Sequence, residues 1–587
     1  MVADGRGRDR PSAGSGMRRR AALGAAILAG LAATFQVWMF PPHGWAWLAW
    51  VALVPLLVAI WTGTGRAAIG AGGIFGSLAA LGLVTGWLWP ALTEFFGLAL
   101  GVRVGLLALA VLYGGGLSLA VFGAALGAGA RLAPPVRVLL AAATWAAVEY
   151  GRGQLPYGML WAPLGAALAP DSVVAQVADL GGVYAVSFVV VTVNAALAEL
   201  ILAAVGARRA RRLTQDRPSA AKPPASARDG VADPSAYQGD TRSGSAPCAH
   251  GAGGFSRRRS ILGQPPRPRR DPEAWRGALL ALGVAAVVVI GACGYGAARR
   301  ADVQHRMATA PTARVALVHA ELENARRQGA ARAAAALDRY LALSPAAGTV
   351  DLVVWPENAV NLLLEDNPEL VARIAARAGA TPYVVGAPRT VATGSGYTLR
   401  TSALVIADGG LARSYDKRRL LPFAEMMPSL RGRGAAQPQI FLPGTAATVV
   451  TVGSLRIGPL ICYEAIFPEL ARTTVRAGAD LLVNLSNDSW FPPGAGPAQH
   501  ARFAELRAVE LRRTLVRAAN RGVTMVVLPD GRVPLATDGA TPGAEIATVP
   551  LLTIPTVYAR IGDGFAWLCV VAVGLGLARS RFTATPC

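Results

Sequence analysis

The chain has 587 residues, 53% of them hydrophobic, and a formal net charge of +22, with a mean hydropathy of +0.40. That is too apolar for a soluble protein of this length. The basic residues gather beside hydrophobic runs and in one low-complexity stretch, so the charge speaks for membrane orientation and against a nucleic-acid partner.

Residues 1–17 are expected to be a disordered tail. Arg18-Arg-Arg20 then opens an apolar run that reaches Phe40 and is followed at once by another. That continuity reads as an uncleaved first helix and not as a signal peptide. Runs near 21–40, 46–62, 67–89, 98–128, 136–150, 180–205, 276–298 and 565–579 are candidate spans, since about 20 apolar residues cross a bilayer. The predicted organisation is six spans within 18–205, a seventh at 276–298 and an eighth at 565–579. A soluble segment at 300–560 and a tail at 580–587 complete it. With the N-terminus in the cytoplasm, Arg66, Arg131, Arg137, the cluster from Arg208 to Arg212, Arg276, Arg579 and Arg581 fall inside. Arg299 and Arg300 are exceptions, and the 300–560 segment is then expected outside.

Residues 206–275 carry fourteen Lys/Arg against six Asp/Glu and few large apolar side chains. Such a stretch cannot bury enough surface to fold and is expected to be a disordered basic linker near the anionic inner leaflet.

The outer segment alternates short apolar runs with amphipathic ones. Strands are predicted at Arg314–Val318, Leu352–Trp355, Tyr383–Gly386, Ser402–Ala407, Thr448–Val452, Ile457–Cys462, Leu481–Leu485 and Thr524–Leu528. Helices are predicted at Glu323–Leu343, Pro368–Ala378, Ile466–Ala477 and Ala498–Ala518. The mixture indicates a layered α/β domain.

Of five cysteines, Cys293 and Cys569 fall in spans, Cys248 in the linker and Cys587 at the end. Cys462 therefore has no disulfide partner in the outer segment, and no CxxC or Cys/His cluster suggests structural zinc. Cys462 ends an apolar run, and the polar residues after it turn toward a helix. A thiol at such an elbow is exposed to substrate, although a free buried cysteine is often inert. Glu357 follows Leu352-Val-Val-Trp-Pro and suits a general base, or is a surface loop residue. Lys417, in Ser414-Tyr-Asp-Lys-Arg-Arg419, suits an oxyanion partner, or belongs to a solvated charged face. His500 reads as a structural hydrogen-bonding residue. Glu149 and Arg152, in or beside a span, must be paired or face a site. Trp38, Trp45, Trp47, Trp87 and Trp89 read as an interfacial belt.

Trp355-Pro-Glu357, Asp416-Lys417 with Leu421-Pro-Phe-Ala-Glu425, and Ile461-Cys-Tyr-Glu464 resemble, in that order, the nitrilase (carbon–nitrogen hydrolase) superfamily. Asn484-Leu-Ser-Asn-Asp-Ser-Trp-Phe491, Gly496-Pro-Ala-Gln-His500 and Arg507-Ala-Val-Glu-Leu511 look more specifically like the apolipoprotein N-acyltransferase family. So do Glu149-Tyr-Gly-Arg152, Gly181-Gly-Val-Tyr184, Ser187-Phe188 and Asn194 in the membrane part, and the eight-span layout.

The resemblance implies an eight-helix transmembrane bundle carrying an α-β-β-α sandwich. It implies Cys462 as nucleophile, Glu357 as base and Lys417 as oxyanion stabiliser, supported by Glu425, Tyr463, Glu464, Trp490 and Phe491. No metal and no cofactor are expected. The implied substrates are a membrane phospholipid as acyl donor and a diacylglyceryl-modified lipoprotein as acceptor, joined through a Cys thioester. The expected setting is a multi-pass monomer in a bacterial inner or plasma membrane, catalytic domain outside. Two motifs depart from the family pattern: Val318-His-Ala-Glu-Leu-Glu-Asn324 replaces a Gln-Gly-Asn-like start with a nearby Lys-Trp, and Pro-Phe-Ala-Glu replaces Pro-Phe-Gly-Glu. A membrane-anchored amidase or nitrilase acting on small amides shares the same three residues, and a non-catalytic scaffold is the third reading.

Overall fold

The computed structural model describes residues 13–63, 65–155, 158, 160–215, 272–320, 330–393, 396–422, 425 and 441–582. Residues 216–271 of the expected linker, 1–12 and 583–587 of the tails, the motif residues 321–324 and Phe423-Ala424 lie outside them, whereas 13–17, 206–215 and 272–275, expected to be disordered, are helical.

The membrane part comprises α1 (Ala13–Trp38), α2 (Val54–Thr62), α3 (Gly65–Pro90), α4 (Leu100–Leu109), α5 (Ser118–Ala128), α6 (Pro134–Gln154), α7 (Ala178–Gln215) and α8 (Pro272–Thr309). Among the described residues, six helical segments are long and apolar enough to cross a membrane. They are Arg19–Trp38, Gly65–Phe95, Leu100–Ala128, Val174–Arg208, Glu273–Thr309 and Gly564–Arg581. The other two expected spans are helical but do not qualify. Ala46–Thr62 is a 3-10 turn followed by the nine-residue α2, which reaches only about 14 Å. Helix α6 carries Arg137, Glu149 and Arg152 and packs inside the bundle. The third qualifying segment joins α4 to α5 through a π-helical stretch, Ala110–Leu117.

Small residues let α3 approach that segment closely. At Gly76 an added Cβ would stand 2.4 Å from the Gly115 carbonyl oxygen, so the two backbones touch with no side chain between them. Helix α7 is broken at Gly181 and Gly182, which frees the Val183 amide to donate to the outer domain.

The outer domain runs β1 (Thr312–His319), α9 (Ala330–Leu343), β2 (Leu352–Val354), α10 (Pro368–Ala378), β3 (Tyr383–Thr393), β4 (Gly396–Ala407), β5 (Gly410–Asp416), β6 (Val450–Val452), β7 (Leu455–Ile461), α11 (Pro468–Arg476), β8 (Leu481–Asn487), α12 (Ala495–Leu511), β9 (Thr514–Asn520), β10 (Thr524–Val527), β11 (Leu535–Thr537) and β12 (Gly543–Pro550). A short α13 (Val557–Ile561) leads into the last span, α14 (Gly564–Phe582). The strands form two six-stranded sheets, β12-β1-β2-β3-β4-β5 and β11-β10-β9-β8-β7-β6. Strands β1, β2 and β3 are mutually parallel, as are β7, β8 and β9.

Period-two alternation sorts side chains into layers. Val315, Leu317, Val354 and Val405 meet Ile457, Ile461, Val483 and Val516 between the sheets. Ala316, Val353 and Leu404 face Leu337, Tyr340 and Ile374 of α9 and α10. Leu460, Leu482 and Leu515 face Ala471, Ala504 and Ala508 of α11 and α12. The result is a helix–sheet–sheet–helix sandwich.

Three expectations need correction. The helix predicted at Ala498–Ala518 ends at Leu511, because Arg512 turns into the left-handed region (φ 49°) and the remainder is β9. The helix predicted at Ile466–Ala477 begins only at Pro468. Trp87 is fully buried and is not part of an interfacial belt.

The α3 contact gives a test. Gly76→Ala is expected to destabilise the protein by about 1–3 kcal/mol through overpacking. Gly86→Ala, where nothing lies within 4 Å of the new carbon, is expected to be neutral or to stabilise by up to about 1 kcal/mol. Thermal unfolding in detergent distinguishes them.

Candidate active site

Three polypeptide turns, at the ends of β2 and β5 in one sheet and of β7 in the other, carry the candidate residues. Glu357 leaves β2 through Trp355-Pro356. The Trp355 indole donates to Ser344 Oγ at 3.0 Å and stacks on Tyr340. Strand β3 passes so close that a Cβ on Gly386 would lie 2.1 Å from the Pro356 carbonyl oxygen. Lys417 follows β5, its amide donating to the Thr401 carbonyl at 2.9 Å. Cys462 ends β7 with φ of 51°, a left-handed conformation that costs about 1–3 kcal/mol in a residue with a Cβ.

The Lys417 ammonium donates to Glu357 Oε1 at 2.9 Å and to Glu425 Oε1 at 3.1 Å. All three side chains are buried. Burial alone would push the lysine pKa down; the charges of Glu357, Glu425 and Cys462 outweigh it and hold the pKa well above the usual range. The second oxygen of Glu425 accepts from the Leu421 amide at 2.7 Å, which fixes the carboxylate against the lysine. Burial raises the Cys462 thiol far above an ordinary cysteine. The Glu357 charge adds to this, and Lys417 works against it. The resting group is a thiol that needs a base.

Glu464 has a different place from a substrate contact. It is fully buried and accepts from the Arg418 and Arg419 amides (2.6 and 3.1 Å), the Tyr415 hydroxyl (2.8 Å) and the Ile461 amide (2.7 Å). It therefore ties the end of β5 to the end of β7, which are the segments that carry Lys417 and Cys462. The charged run after Lys417 is not a solvated face. Arg418 anchors on Leu470, Thr473 and Thr474 of α11, and Arg419 on the Gly153 carbonyl of α6.

Beside the thiol lies a network of which the sequence reading gave a role to His500 alone. Asp488 accepts from Arg517 at 2.8 Å and pairs with His500 Nδ1 at 2.9 Å. Arg517 also bonds Asn484, whose amide donates to the Leu460 carbonyl at 3.0 Å and the Cys462 carbonyl at 3.4 Å. Burial pushes Asp488 up, but Arg517 and His500 hold it below the usual carboxylate range. Burial and then Arg517 push His500 down, so the ring is neutral at pH 7. Donor atoms of Cys462, Asp488 and His500 lie within 4.8 Å of one another, a grouping able to hold a metal ion. The Arg517 guanidinium already neutralises the carboxylate there. His500 has the structural hydrogen bond expected of it. Asn-Asp-Ser before Trp490 was the available signal, but nothing local showed that Arg517, on an unpredicted strand, would reach it.

Tyr463, Trp490 and Phe491 line an apolar cavity of about 320 Å³ with His500, Leu421, Arg152 and the α3 residues Phe75, Leu83 and Trp87. Trp490 and Phe491 stack at 3.7 Å, and Trp87 meets Phe491 edge-on at 5.1 Å. Gln499 Oε1 accepts from the Trp87 and Trp161 indoles at 3.3 and 2.9 Å, and its amide donates to the Pro41 carbonyl at 2.9 Å. Of the two charged residues beside the fifth expected span, Arg152 faces this cavity. Glu149 does not: it accepts from the Leu164 amide at 2.6 Å and the Trp145 indole at 2.8 Å.

A family model described as carbon–nitrogen hydrolase matches residues 314–557, and one described as apolipoprotein N-acyltransferase N-terminal domain matches 32–196. The chain is 30% identical over 568 residues to the apolipoprotein N-acyltransferase of Geobacter metallireducens, covering 94% of each protein. It is 36% identical over 235 residues to that of Rhizobium meliloti, covering 37% of this chain and 44% of the relative. Among solved structures, an amidase from Nesterenkonia sp. is similar at 18% identity and a TM-score of 0.31, covering 43% of this chain and 95% of that one.

The Glu464 clamp is testable. Glu464→Gln turns an amide NH₂ toward two of the four donors and is expected to destabilise by about 2–4 kcal/mol. A lowered Tm together with slower alkylation of Cys462 would show that the clamp aligns the two strand ends.

Proposed function

We propose, for a chain that belongs to the apolipoprotein N-acyltransferase family, a two-step acyl transfer centred on Cys462. The chain is a membrane acyltransferase of lipoprotein maturation, with lipid and lipoprotein substrates. In the first step Glu357 accepts the thiol proton and the sulfur attacks the ester carbonyl of a phospholipid. Lys417 faces the developing oxyanion. The C–O bond breaks, the proton passes from Glu357 to the departing lysophospholipid, and an acyl-thioester remains. In the second step the α-amine of a diacylglyceryl-cysteine attacks the thioester. Glu357 takes the amine proton, the C–S bond breaks, and Glu357 returns that proton to the departing sulfur, leaving the amide, the free thiol and the ionised base.

The observation that carries this reading is the shared ammonium: one lysine, buried between Glu357 and Glu425 and electrostatically coupled to Cys462. It fixes the Glu357 carboxylate in place and offers a cation to the oxyanion. The neighbouring cavity, walled by Tyr463, Trp490 and Phe491, suits an acyl chain and keeps water from the thioester. Glu464 supports the site from behind. No step requires a metal or cofactor.

The catalytic domain is assigned to the extracytoplasmic side, and the protein to a bacterial inner membrane as a monomer. The arginines that oppose this orientation are neutralised. Arg299 pairs with Asp179 at 2.7 Å and Asp302 at 2.9 Å, and Arg300 lies 4.0 Å from Asp171. The positive-inside rule is a bias in Lys/Arg number, and two exceptions do not reverse it. Hydrolysis of small amides gains no support from a cavity built into the membrane bundle.

Two experiments test the site. Cys462→Ala is expected to remain folded and to form no acyl-enzyme with phospholipid vesicles, as read by intact-protein mass spectrometry; an acyl adduct on that variant would remove Cys462 from its role. Glu357→Gln is expected to slow acylation by about 10²–10⁴-fold. In addition, alkylation of Cys462 by iodoacetamide is expected to keep rising with pH beyond about 8.5, where an ordinary cysteine is half ionised. The sign follows from burial and Glu357 both favouring the protonated thiol. Lys417→Met removes the opposing cation and is expected to slow alkylation further at every pH.

A further inference from the structure

We propose that the polypeptide of the acceptor, as distinct from its lipid anchor, docks in a second cleft on the far side of Trp490 and Phe491; this rests on the two-substrate reading above. The cleft encloses about 830 Å³ and is bordered by Glu94 after α3, Arg332 on α9, Arg521 after β9 and the turn Asp538-Gly539-Ala540. Trp490 and Phe491 line both this cleft and the apolar cavity. Phe491 stands 6.1 Å from the His500 ring, and a donor atom of His500 lies within 4.8 Å of the Cys462 sulfur. Two spaces of opposite character therefore adjoin at one ring pair close to the nucleophile.

The acceptor has the matching division. Its reacting cysteine carries acyl chains on one side and a water-soluble polypeptide on the other, and its amine lies where they join. An apolar cavity cannot take the peptide, whose amides would lose their hydrogen bonds. The cleft can: it is open to solvent and carries two acids and two bases, a balance that accommodates peptide dipoles without selecting one charge. That is what an enzyme serving proteins of varied sequence needs. A phospholipid head group, always carrying phosphate, would be met by a site of one sign.

The test uses the full-length protein in vesicles of phosphatidylethanolamine and phosphatidylglycerol, with two acceptors bearing the same diacylglyceryl-cysteine. One acceptor ends after two residues and the other continues for about twelve. Wild type is expected to show a KM about fivefold lower for the long acceptor. Ala540→Trp, which fills the cleft, and the pair Arg521→Ala with Asp538→Ala are expected to abolish that preference. The short-acceptor KM and the rate of acyl-enzyme formation should stay unchanged. A benzophenone at the fourth peptide residue is expected to label segment 492–498 or 538–540. Equal KM values in wild type, equal losses for both acceptors, or labelling elsewhere would overturn the docking site. So would labelling of the cleft by a head-group-tagged phospholipid. Failure of wild type to form any acyl-enzyme would instead sink the acyl-transfer reading, and this one with it.

Discussion

An ammonium held out of water between two carboxylates is the constraint around which the outer domain is arranged. Removing the ammonium leaves two buried carboxylates without their counter-ion, typically at a loss of about 3–5 kcal/mol. The arrangement survives because each partner is fixed by something else. Glu425 is held by the Leu421 amide, Glu357 by a short turn pressed against β3, and Lys417 by main-chain bonds to Thr401 and Gly444. The charge is therefore positioned before substrate arrives, which is the condition for electrostatic catalysis in a dry site. A thiol left protonated by its surroundings fits the same logic. In the proposed reaction the sulfur becomes reactive only as the base acts, and the raised pKa keeps it a thiol until then.

The elbow at Cys462 is the second element of that preorganisation. Its positive φ is retained because Asn484 reaches its carbonyl from β8 and Glu464 bonds the residue before it. The three side chains proposed to act come from β2, β5 and β7, in two different sheets. Their alignment depends on how the sheets pack face to face, and Glu464 is the cross-tie between the β5 and β7 ends.

The layered domain was legible because its strands are short, apolar and bounded by turns, and because Cys462, Glu357 and Lys417 each follow such a run. What escaped reading has particular causes. Helix α12 is buried against the second sheet on one side and the membrane helices on the other, so it lacks a polar face to mark where it stops, and β9 was absorbed into it. Arg517, on that strand, was lost with it, and so was the network beneath Cys462. Trp87 looked like a belt residue because a tryptophan near a span end usually is; only Gln499, 412 positions away, shows otherwise. Two of the eight expected spans, α2 and α6, fall short because segments packed inside a bundle need neither the length nor the apolarity that contact with lipid demands. Glu149 was read as either paired or facing a site; it is paired, with the Leu164 amide, a partner that no local pattern announces.

Helix α12 has one more implication. Near its start Gln499 grips the indoles of Trp87 and Trp161. At its far end Glu510 accepts from the Val183 amide at the break in α7, and Arg512, just beyond, bonds Asp179 and Gln176. A rod of about 25 Å is thus pinned to the bundle at both tips. The sandwich cannot tilt away from the bilayer without unfastening one of them. The sulfur consequently sits at a set height relative to the bundle helices.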